Sequence, residues 1–214
     1  MKTTPWILLS LSLSLFFPNQ VISKTVGLAY VAGGCFWCVE ADFEKIPGII
    51  DVVSGYTGGQ TENPTYKEVV KGGTGHFEAV KIIYDKDIIN YRQIMDTFWR
   101  TVDPTDKQGQ FCDRGQSYQT AIFVTNMAEK EIASHSKILA QQILGKEIVT
   151  PILNFSKFFD AEDYHQDYYK GENLIFTRFG LVKQSKAYKY YRKGCGRDAR
   201  LKILWGSAAI IAVD

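Results

Sequence analysis

The fold of this chain is decided between residues 26 and 46, which read VGLAYVAGGCFWCVEADFEKI. Residues 26–32 are apolar with β-branched members and predict a strand, which Gly33-Gly34 ends. From Cys35 onward, apolar residues recur at helical spacing with acidic residues between them, until Pro47-Gly48 stops the helix. The stretch therefore predicts a strand that turns through two glycines into a helix, with Cys35 at the start of that helix.

This position favours thiol chemistry at Cys35. The unpaired N–H groups of a first helical turn and the helix dipole both favour an anion, so we expect the pKa of the Cys35 thiol to be lowered. Cys38 follows three residues later, a spacing that puts both side chains on one face of a helix. Taken alone, this Cys-x-x-Cys pattern indicates either a dithiol–disulfide exchanger or two buried structural cysteines.

Strand and helix patterns continue to alternate along the rest of the chain. We predict strands over 49–56, 76–84, 120–124 and 148–155, and helices over 66–70, 91–102, 126–144 and 161–170. Pro151 indicates that the strand over 148–155 is an edge strand. Without a domain-sized linker or a repeat, the pattern predicts one α+β domain, a two-layer mixed β-sheet with helices. We expect a ferredoxin-like α/β plait followed by an irregular C-terminal tail.

The composition is that of a globular protein. Of 214 residues, 45% are hydrophobic and 22% charged, which excludes disorder, collagen-like repeats and coiled coil. Basic and acidic residues nearly balance, at 25 and 23, so nothing indicates a nucleic-acid partner. Four cysteines are too few for a small disulfide scaffold but suit thiol chemistry.

Residues 1–23 have the pattern of a secretory signal peptide. Lys2 is their one charge, residues 6–17 are an apolar run broken only by serines, and small or aliphatic residues precede a cleavage point after Ser23. The run is short for a membrane span, which needs roughly 20 residues. A buried strand or an uncleaved anchor are the alternatives. We therefore expect a protein exported to the periplasm or the medium, with a catalytic domain over 24–180, a tail over 181–214 and no stable membrane insertion after cleavage.

Four ordered motifs carry a family resemblance. The segment Gly33-Gly34-Cys35-Phe36-Trp37 resembles the signature of the A-type peptide methionine sulfoxide reductases. Three later segments resemble further blocks of that family in the same order: GHFE at 75–78, DRGQSY at 113–118 and AEDYHQ at 161–166. Tyr66 precedes a glycine-rich turn, as the family's tyrosine does. The resemblance covers residues 26–171, and it implies reduction of methionine S-sulfoxide, free or in oxidised proteins, with repair of those proteins.

The resemblance also implies a role for each matching residue. When a thiolate attacks the sulfoxide sulfur, the oxygen must be protonated, because oxide is a poor leaving group. Cys35 is the expected nucleophile and Glu78 the expected proton donor, since burial can hold a carboxyl protonated near neutral pH. The resemblance implies that Tyr66 and Tyr118 hydrogen-bond the sulfoxide oxygen and that Asp113 joins this polar side through water. It also implies that Phe36 and Trp37 form the apolar wall for the substrate methyl group.

The attack leaves a sulfenic acid on Cys35, which a second thiol condenses to a disulfide. We expect that thiol to be Cys195, because its flanking glycines give a tail freedom to move. Cys38 is the competing candidate, at a position where the family commonly has glycine. The chain also has one tail cysteine where many members have two, and Val70 where many have cysteine. Cys112 is expected to be a small buried filler rather than a relay.

The expected enzyme is a monomer with no bound cofactor and no metal. Its electrons come from an external dithiol, a thioredoxin-like protein in the compartment to which the enzyme is exported. His76 and His165 are expected to be structural hydrogen bonders. Two other functions remain open on the residues alone, namely a general thiol–disulfide oxidoreductase using Cys35 and Cys38, and a secreted metal- or peptide-binding module.

Overall fold

Strands and helices alternate in the computed structural model, which describes residues 25–178 and 180–211. The signal segment predicted over 1–23 lies outside the described residues. The strands are β1 (Val26–Gly33), β2 (Ile49–Thr57), β3 (Phe77–Asp85), β4 (Gly109–Gln110), β5 (Asp113–Arg114), β6 (Thr120–Val124), β7 (Ile152–Asn154), β8 (Phe158–Asp160), β9 (Leu174–Thr177) and β10 (Gly180–Lys183). The helices are α1 (Phe36–Phe43), α2 (Tyr66–Lys71), α3 (Tyr91–Trp99), α4 (Met127–Leu144), α5 (Gln184–Gly194) and α6 (Arg197–Trp205).

Six strands form one mixed sheet in the order β7-β6-β1-β3-β2-β8. β1 pairs antiparallel with β3 and β6, and β2 pairs antiparallel with β3 and β8. β7 runs parallel to β6 at the edge of the sheet and begins directly after Pro151, as that proline predicts. The single α+β domain with a mixed sheet is confirmed.

One hydrophobic core joins the sheet to helices α1 and α3. The core includes Val31, Phe36, Val80 and Phe98, all essentially without solvent exposure. Helix α3 comes from an amphipathic stretch that buries its apolar face against the sheet, whereas α1 is buried on nearly all sides, including its acidic residues Glu40 and Asp42. Helix α3 starts at a capping box, in which Asn90 accepts a hydrogen bond from the N–H of Gln93 and the Gln93 side chain reaches back to Asn90. No helix in the described ranges is long and apolar enough to cross a membrane.

The helix predicted over 161–170 is wrong. The segment instead contains two short 3₁₀ turns, Asp163–His165 and Tyr168–Lys170, separated by Asp167 in a left-handed conformation. Long-range hydrogen bonds favour this path: the Gln166 amide bonds both the N–H and the C=O of Ser54, and Glu40 accepts from the N–H of Asp167. The aromatic spacing that suggested a helix is outweighed by these tertiary contacts.

The irregular C-terminal tail is also wrong, because residues 184–205 form helices α5 and α6. Leu201 and Trp205 of α6 are buried in the main core. Arg192 lies 2.9 Å from Asp42 of α1, and the Arg197 guanidinium donates to the carbonyls of Gly33 and Thr101. Buried guanidinium groups require such partners, so these contacts fix the tail against the end of α1 and the end of β1.

Candidate active site

Cys35 lines a small cavity of about 70 Å³ at the start of α1. The other side chains that line it come from five separate segments of the chain: Phe36, Trp37, Tyr66, Glu78, Asp113, Tyr118 and Tyr191. The structure thus brings together all seven residues expected to bind the substrate or act on it, and adds Tyr191. The two candidate resolving residues, Cys38 and Cys195, do not line this cavity.

The turn between β1 and α1 places Cys35 in the cavity. Cys35 is the N-cap residue of α1 and follows Gly34, whose φ is +80°. A Cβ at Gly34 would lie 2.5 Å from Cβ of the buried Gln110, so only glycine combines this backbone conformation with this close approach. Gly34 is therefore required both by the backbone conformation of the turn and by the close approach of Gln110.

Glu78 is a buried acid near the start of β3. Its Oε2 accepts a hydrogen bond from the N–H of Phe36 at 3.1 Å, while its Oε1 is buried and has no hydrogen-bond partner among the described residues. Burial raises the pKa of Glu78 to about 8, the hydrogen bond from Phe36 opposes this, and the negative charge of Asp113 adds to it. The carboxyl is therefore protonated at neutral pH and has one oxygen free for a ligand.

Two tyrosine hydroxyls flank this carboxyl. Burial, followed by the negative charge of Glu78, raises the pKa of both Tyr66 and Tyr118 above the usual value for tyrosine. Both phenols consequently keep their protons and can donate hydrogen bonds. Together with Glu78 they form the polar part of the cavity lining, and the rings of Phe36 and Trp37 form its apolar part.

The expected lowering of the Cys35 pKa is wrong. Cys35 is only 5% exposed, and burial, with contributions from Cys38 and the nearby carboxylates, raises the pKa of its thiol. The N-terminus of α1 does not overcome this desolvation. In the resting site, Cys35 is a neutral thiol that must lose its proton as it reacts.

Cys38 is a free buried thiol on the next turn of α1. A hydrogen bond from Cys35 and the positive charges of Arg197 and Arg192 lower the pKa of Cys38 to about 7, against burial, which raises it. The pKa values of the two thiols thus shift in opposite directions, because the positive charges of Arg192 and Arg197 act on Cys38.

Cys112 and Cys195 form a disulfide, which corrects the expectation that Cys112 is a buried filler. Cys112 is exposed and Cys195, the C-cap residue of α5, is half-buried. Both line a groove of about 520 Å³ that shares Trp37 and Tyr191 with the Cys35 cavity. Their separation of 83 residues explains why sequence spacing gave no sign of this pair.

Tyr191 was missed in the sequence because it lies outside all recognised motifs. It donates a hydrogen bond to Asp113 and packs edge-on against Trp37, with ring centroids 6.3 Å apart. The signal that could have found it is the pair Tyr188 and Tyr191, spaced for one face of a helix in the tail. Tyr191 closes one side of the cavity and separates it from the disulfide groove.

The two histidines near the motifs are structural, as expected. His165 accepts a hydrogen bond from Trp37 Nε1 at 3.2 Å, and burial lowers the pKa of His165 to about 4. His76 bonds the backbone of Gly59 and Thr61. Trp37 is further held by stacking on Tyr168 at 3.8 Å, so the apolar wall is rigidly oriented.

Two groups of described side chains could supply metal ligands, and Cys35 belongs to neither. Cys112, Asp113 and Cys195 form one such cluster, and Glu40, Glu44 and Asp167 form another. The two sulfurs of the first cluster are bonded to each other, which removes them as thiolate ligands in this state. The chemistry of the site therefore rests on thiols, carboxyls and phenols.

Comparison with known proteins identifies one family. Residues 27–197 match the family model for peptide methionine sulfoxide reductase. Peptide methionine sulfoxide reductase MsrA 2 of Rhizobium meliloti is 45% identical over 186 residues, 87% of each chain. MsrA of Bacillus licheniformis is 46% identical over 181 residues, 84% of this chain and 93% of the relative. MsrA/MsrB of Vibrio cholerae is 44% identical over 94% of this chain, which spans only 52% of that longer protein.

Solved structures agree with the sequence comparison. The reduced form of Mxr1 from Saccharomyces cerevisiae superposes with a TM-score of 0.65 at 30% identity, covering 71% of this chain and 90% of that one. Methionine sulfoxide reductase A of Corynebacterium diphtheriae gives a TM-score of 0.61 at 26% identity, covering 74% and 84%. The overall fold of this chain is thus similar to that of these two solved proteins.

Proposed function

Since this chain belongs to the peptide methionine sulfoxide reductase family, we propose that its Cys35 cavity reduces the S epimer of methionine sulfoxide, free or in oxidised proteins. The observation that carries this proposal is the joining of a buried thiol and a protonated, partly unpaired Glu78 in one small cavity. A sulfoxide has a positive sulfur and a negative oxygen, and these two groups are complementary to it. Repair of oxidised proteins follows from this activity.

In the first step the Cys35 sulfur attacks the sulfoxide sulfur. Glu78 protonates the sulfoxide oxygen, and Tyr66 and Tyr118 donate hydrogen bonds to it. The oxygen passes to Cys35 as the bond between the two sulfurs breaks, and the thiol proton of Cys35 restores the acid of Glu78, so that a thiol and a sulfoxide become a sulfenic acid and methionine. Phe36 and Trp37 hold the substrate methyl group on the opposite wall. A site with one polar and one apolar wall distinguishes the two sulfur epimers.

In the second step the Cys195 thiol condenses with the sulfenic acid of Cys35 and releases water. The Cys112 thiol then attacks Cys195, which forms the Cys112–Cys195 disulfide and returns Cys35 to its thiol form. Two observations support this order: Cys112 and Cys195 are already bonded to each other, and Cys35 and Cys38 are free thiols. Cys112 is thus a relay residue, and Cys38 remains the competing partner for Cys35.

The general thiol–disulfide oxidoreductase is not favoured. Cys35 is 5% exposed and Cys38 2%, whereas a protein disulfide must reach the attacking sulfur before exchange begins. The sulfur that a partner protein can reach is instead that of Cys112, in the Cys112–Cys195 disulfide. A Glu78→Gln variant separates the two functions, since disulfide exchange does not need an acid in the Cys35 cavity.

The direct test uses a peptide that contains methionine S-sulfoxide, with dithiothreitol as reductant. Wild-type enzyme is expected to form methionine and Cys35→Ser none. Mass-spectrometric mapping of disulfides after one turnover of pre-reduced enzyme is expected to find Cys112–Cys195. Normal turnover by Cys35→Ser would exclude the mechanism, and a Cys35–Cys38 bond as the end product would exclude the relay.

We further propose export, with a mature chain that begins near Lys24, on the pattern of residues 1–23. The mature protein comprises the catalytic domain over 24–180 and the tail over 181–214, and acts as a monomer without a bound cofactor. The N-terminal sequence of protein recovered from the exported fraction tests the cleavage. A thioredoxin-like dithiol in the same compartment supplies the electrons.

The finer fold assignment is a ferredoxin-like plait. Four strands support it, since β1, β2, β3 and β6 follow the order β6-β1-β3-β2 in the sheet with antiparallel neighbours. Helices α1 and α3 connect β1 to β2 and β3 to β6, and both contribute to the same core. β7 and β8 then extend the sheet at its two edges.

A further inference from the structure

The hairpin of β9 and β10 presents an unusual apolar face to solvent. Phe176 is 87% exposed, and Leu174 and Leu181 are each 62% exposed. Phe176 pairs directly with Leu181 across the two strands, and Leu174 lies two residues from Phe176, so all three share the outer face of the ribbon. The alternate residues, among them Ile175 and Val182, are half-buried on the inner side. We call the three exposed side chains the hairpin patch.

The hairpin patch adjoins the groove that contains the disulfide. Thr177 and Arg178, the residues directly after Phe176, line the same groove as Cys112 and Cys195. One residue of a strand advances the chain by about 3.3 Å and turns the side chain to the opposite face, so the patch lies on the outer side of the ribbon whose inner side and turn form the rim of this groove. By contrast, no described residue of the hairpin lines the Cys35 cavity.

The disulfide itself indicates what approaches this groove. Returning Cys112 and Cys195 to thiols requires two electrons and two protons from a dithiol. A thiolate of the donor attacks one sulfur to give a mixed disulfide, and the second donor thiol then releases the enzyme and leaves the donor oxidised. Cys112 is the more exposed of the two sulfurs and thus the accessible target.

Resting on the function proposed above, we infer that the hairpin patch and the adjoining groove rim dock a thioredoxin-like dithiol protein. An oxidised substrate protein has to deliver its sulfur to the Cys35 cavity, which the hairpin does not border. Three side chains form a patch of the order of a few hundred Å². A stable dimer buries about 800 Å² on each partner, whereas transient redox complexes bury less. The patch has the size for a brief redox encounter.

The test compares two reductants on the same enzyme. The docking variant is Leu174→Ser/Phe176→Ser, and the matched control is Ile138→Ser/Ile143→Ser, which removes two exposed apolar side chains from α4. Turnover of a methionine S-sulfoxide peptide is measured with dithiothreitol, and again with a bacterial thioredoxin, its reductase and NADPH. We expect the docking variant to raise the KM for thioredoxin at least fivefold. Its turnover with dithiothreitol, and the control variant with either reductant, should match wild type.

Each contrary result has a separate meaning. An unchanged KM for thioredoxin in the docking variant would overturn the inference. So would reduction of wild-type Cys112–Cys195 by thioredoxin no faster than by dithiothreitol at the same dithiol concentration. If the variant instead raised the KM for a sulfoxide-containing protein in the dithiothreitol assay, the patch would bind substrate. Absence of wild-type turnover with dithiothreitol would refute the proposed function rather than the docking surface.

Discussion

The N–H of Phe36 donates a hydrogen bond to Oε2 of Glu78 at 3.1 Å, and this contact joins the start of the catalytic helix to the start of β3. It fixes the carboxyl beside Cys35 and leaves Oε1 without a partner among the described residues. The acid is thereby oriented before substrate binds, which is the condition for efficient proton transfer.

Glu78→Gln is expected to lower kcat/KM for methionine sulfoxide by about 10²- to 10⁴-fold, the range for loss of a general acid. Glutamine keeps the acceptor for Phe36 but cannot give a proton to the sulfoxide oxygen. Turnover with dithiothreitol at pH 7 measures the effect, and thermal unfolding checks the fold. Activity within a factor of three of wild type would show that Glu78 is not the proton donor.

The pH dependence should reveal the same group. Burial raises the pKa of Glu78 to about 8, so the acid is protonated below that value and is lost as the pH rises through it. The ionisation of Cys35 rises over the same pH range in wild type and in Glu78→Gln, so it cancels in the ratio of their rates. We expect the ratio of the wild-type to the Glu78→Gln rate of methionine release in a single turnover to fall with a slope approaching tenfold per pH unit above pH 8. A ratio that stays constant through this range would show that Glu78 is not the titrating acid.

Cys112→Ser should stop the relay after one disulfide. Pre-reduced wild-type enzyme without reductant is expected to release a second methionine, because Cys35 is returned to a thiol when Cys112–Cys195 forms. Cys112→Ser should release only one and accumulate Cys35–Cys195, measured by methionine analysis and peptide mapping. Cys38→Ser is the control and should retain the second methionine. Equal yields from wild type and Cys112→Ser would contradict the relay.

Arg192→Met should destabilise the protein by about 3 kcal/mol or more, as breaking a buried ion pair typically does. Arg192 lies 2.9 Å from the buried carboxylate of Asp42 and also bonds Asp198 and Tyr188. Lys183→Met is the control, because its ion pair with Glu172 is exposed and worth about 1 kcal/mol at most. Urea unfolding measures both. Similar losses in the two variants would show that the tail is not held by this pair.

The sequence by itself determined most of the local elements, though not the turns over 163–170 or the tail helices, and it identified the residues of the site other than Tyr191. Residues 26–46 specify their strand, turn and helix through periodicity and paired glycines, which act within a few residues. The four motifs named the residues that meet around Cys35, and the family comparison agrees. Only the tertiary structure decided the rest. The tail helices form because they pack against the rest of the fold. The Cys112–Cys195 bond and the Tyr191–Asp113 contact join residues 78 or more positions apart, and local sequence patterns do not predict contacts over such separations. Burial, a property of the whole fold, likewise set the raised pKa of Cys35 and of Glu78.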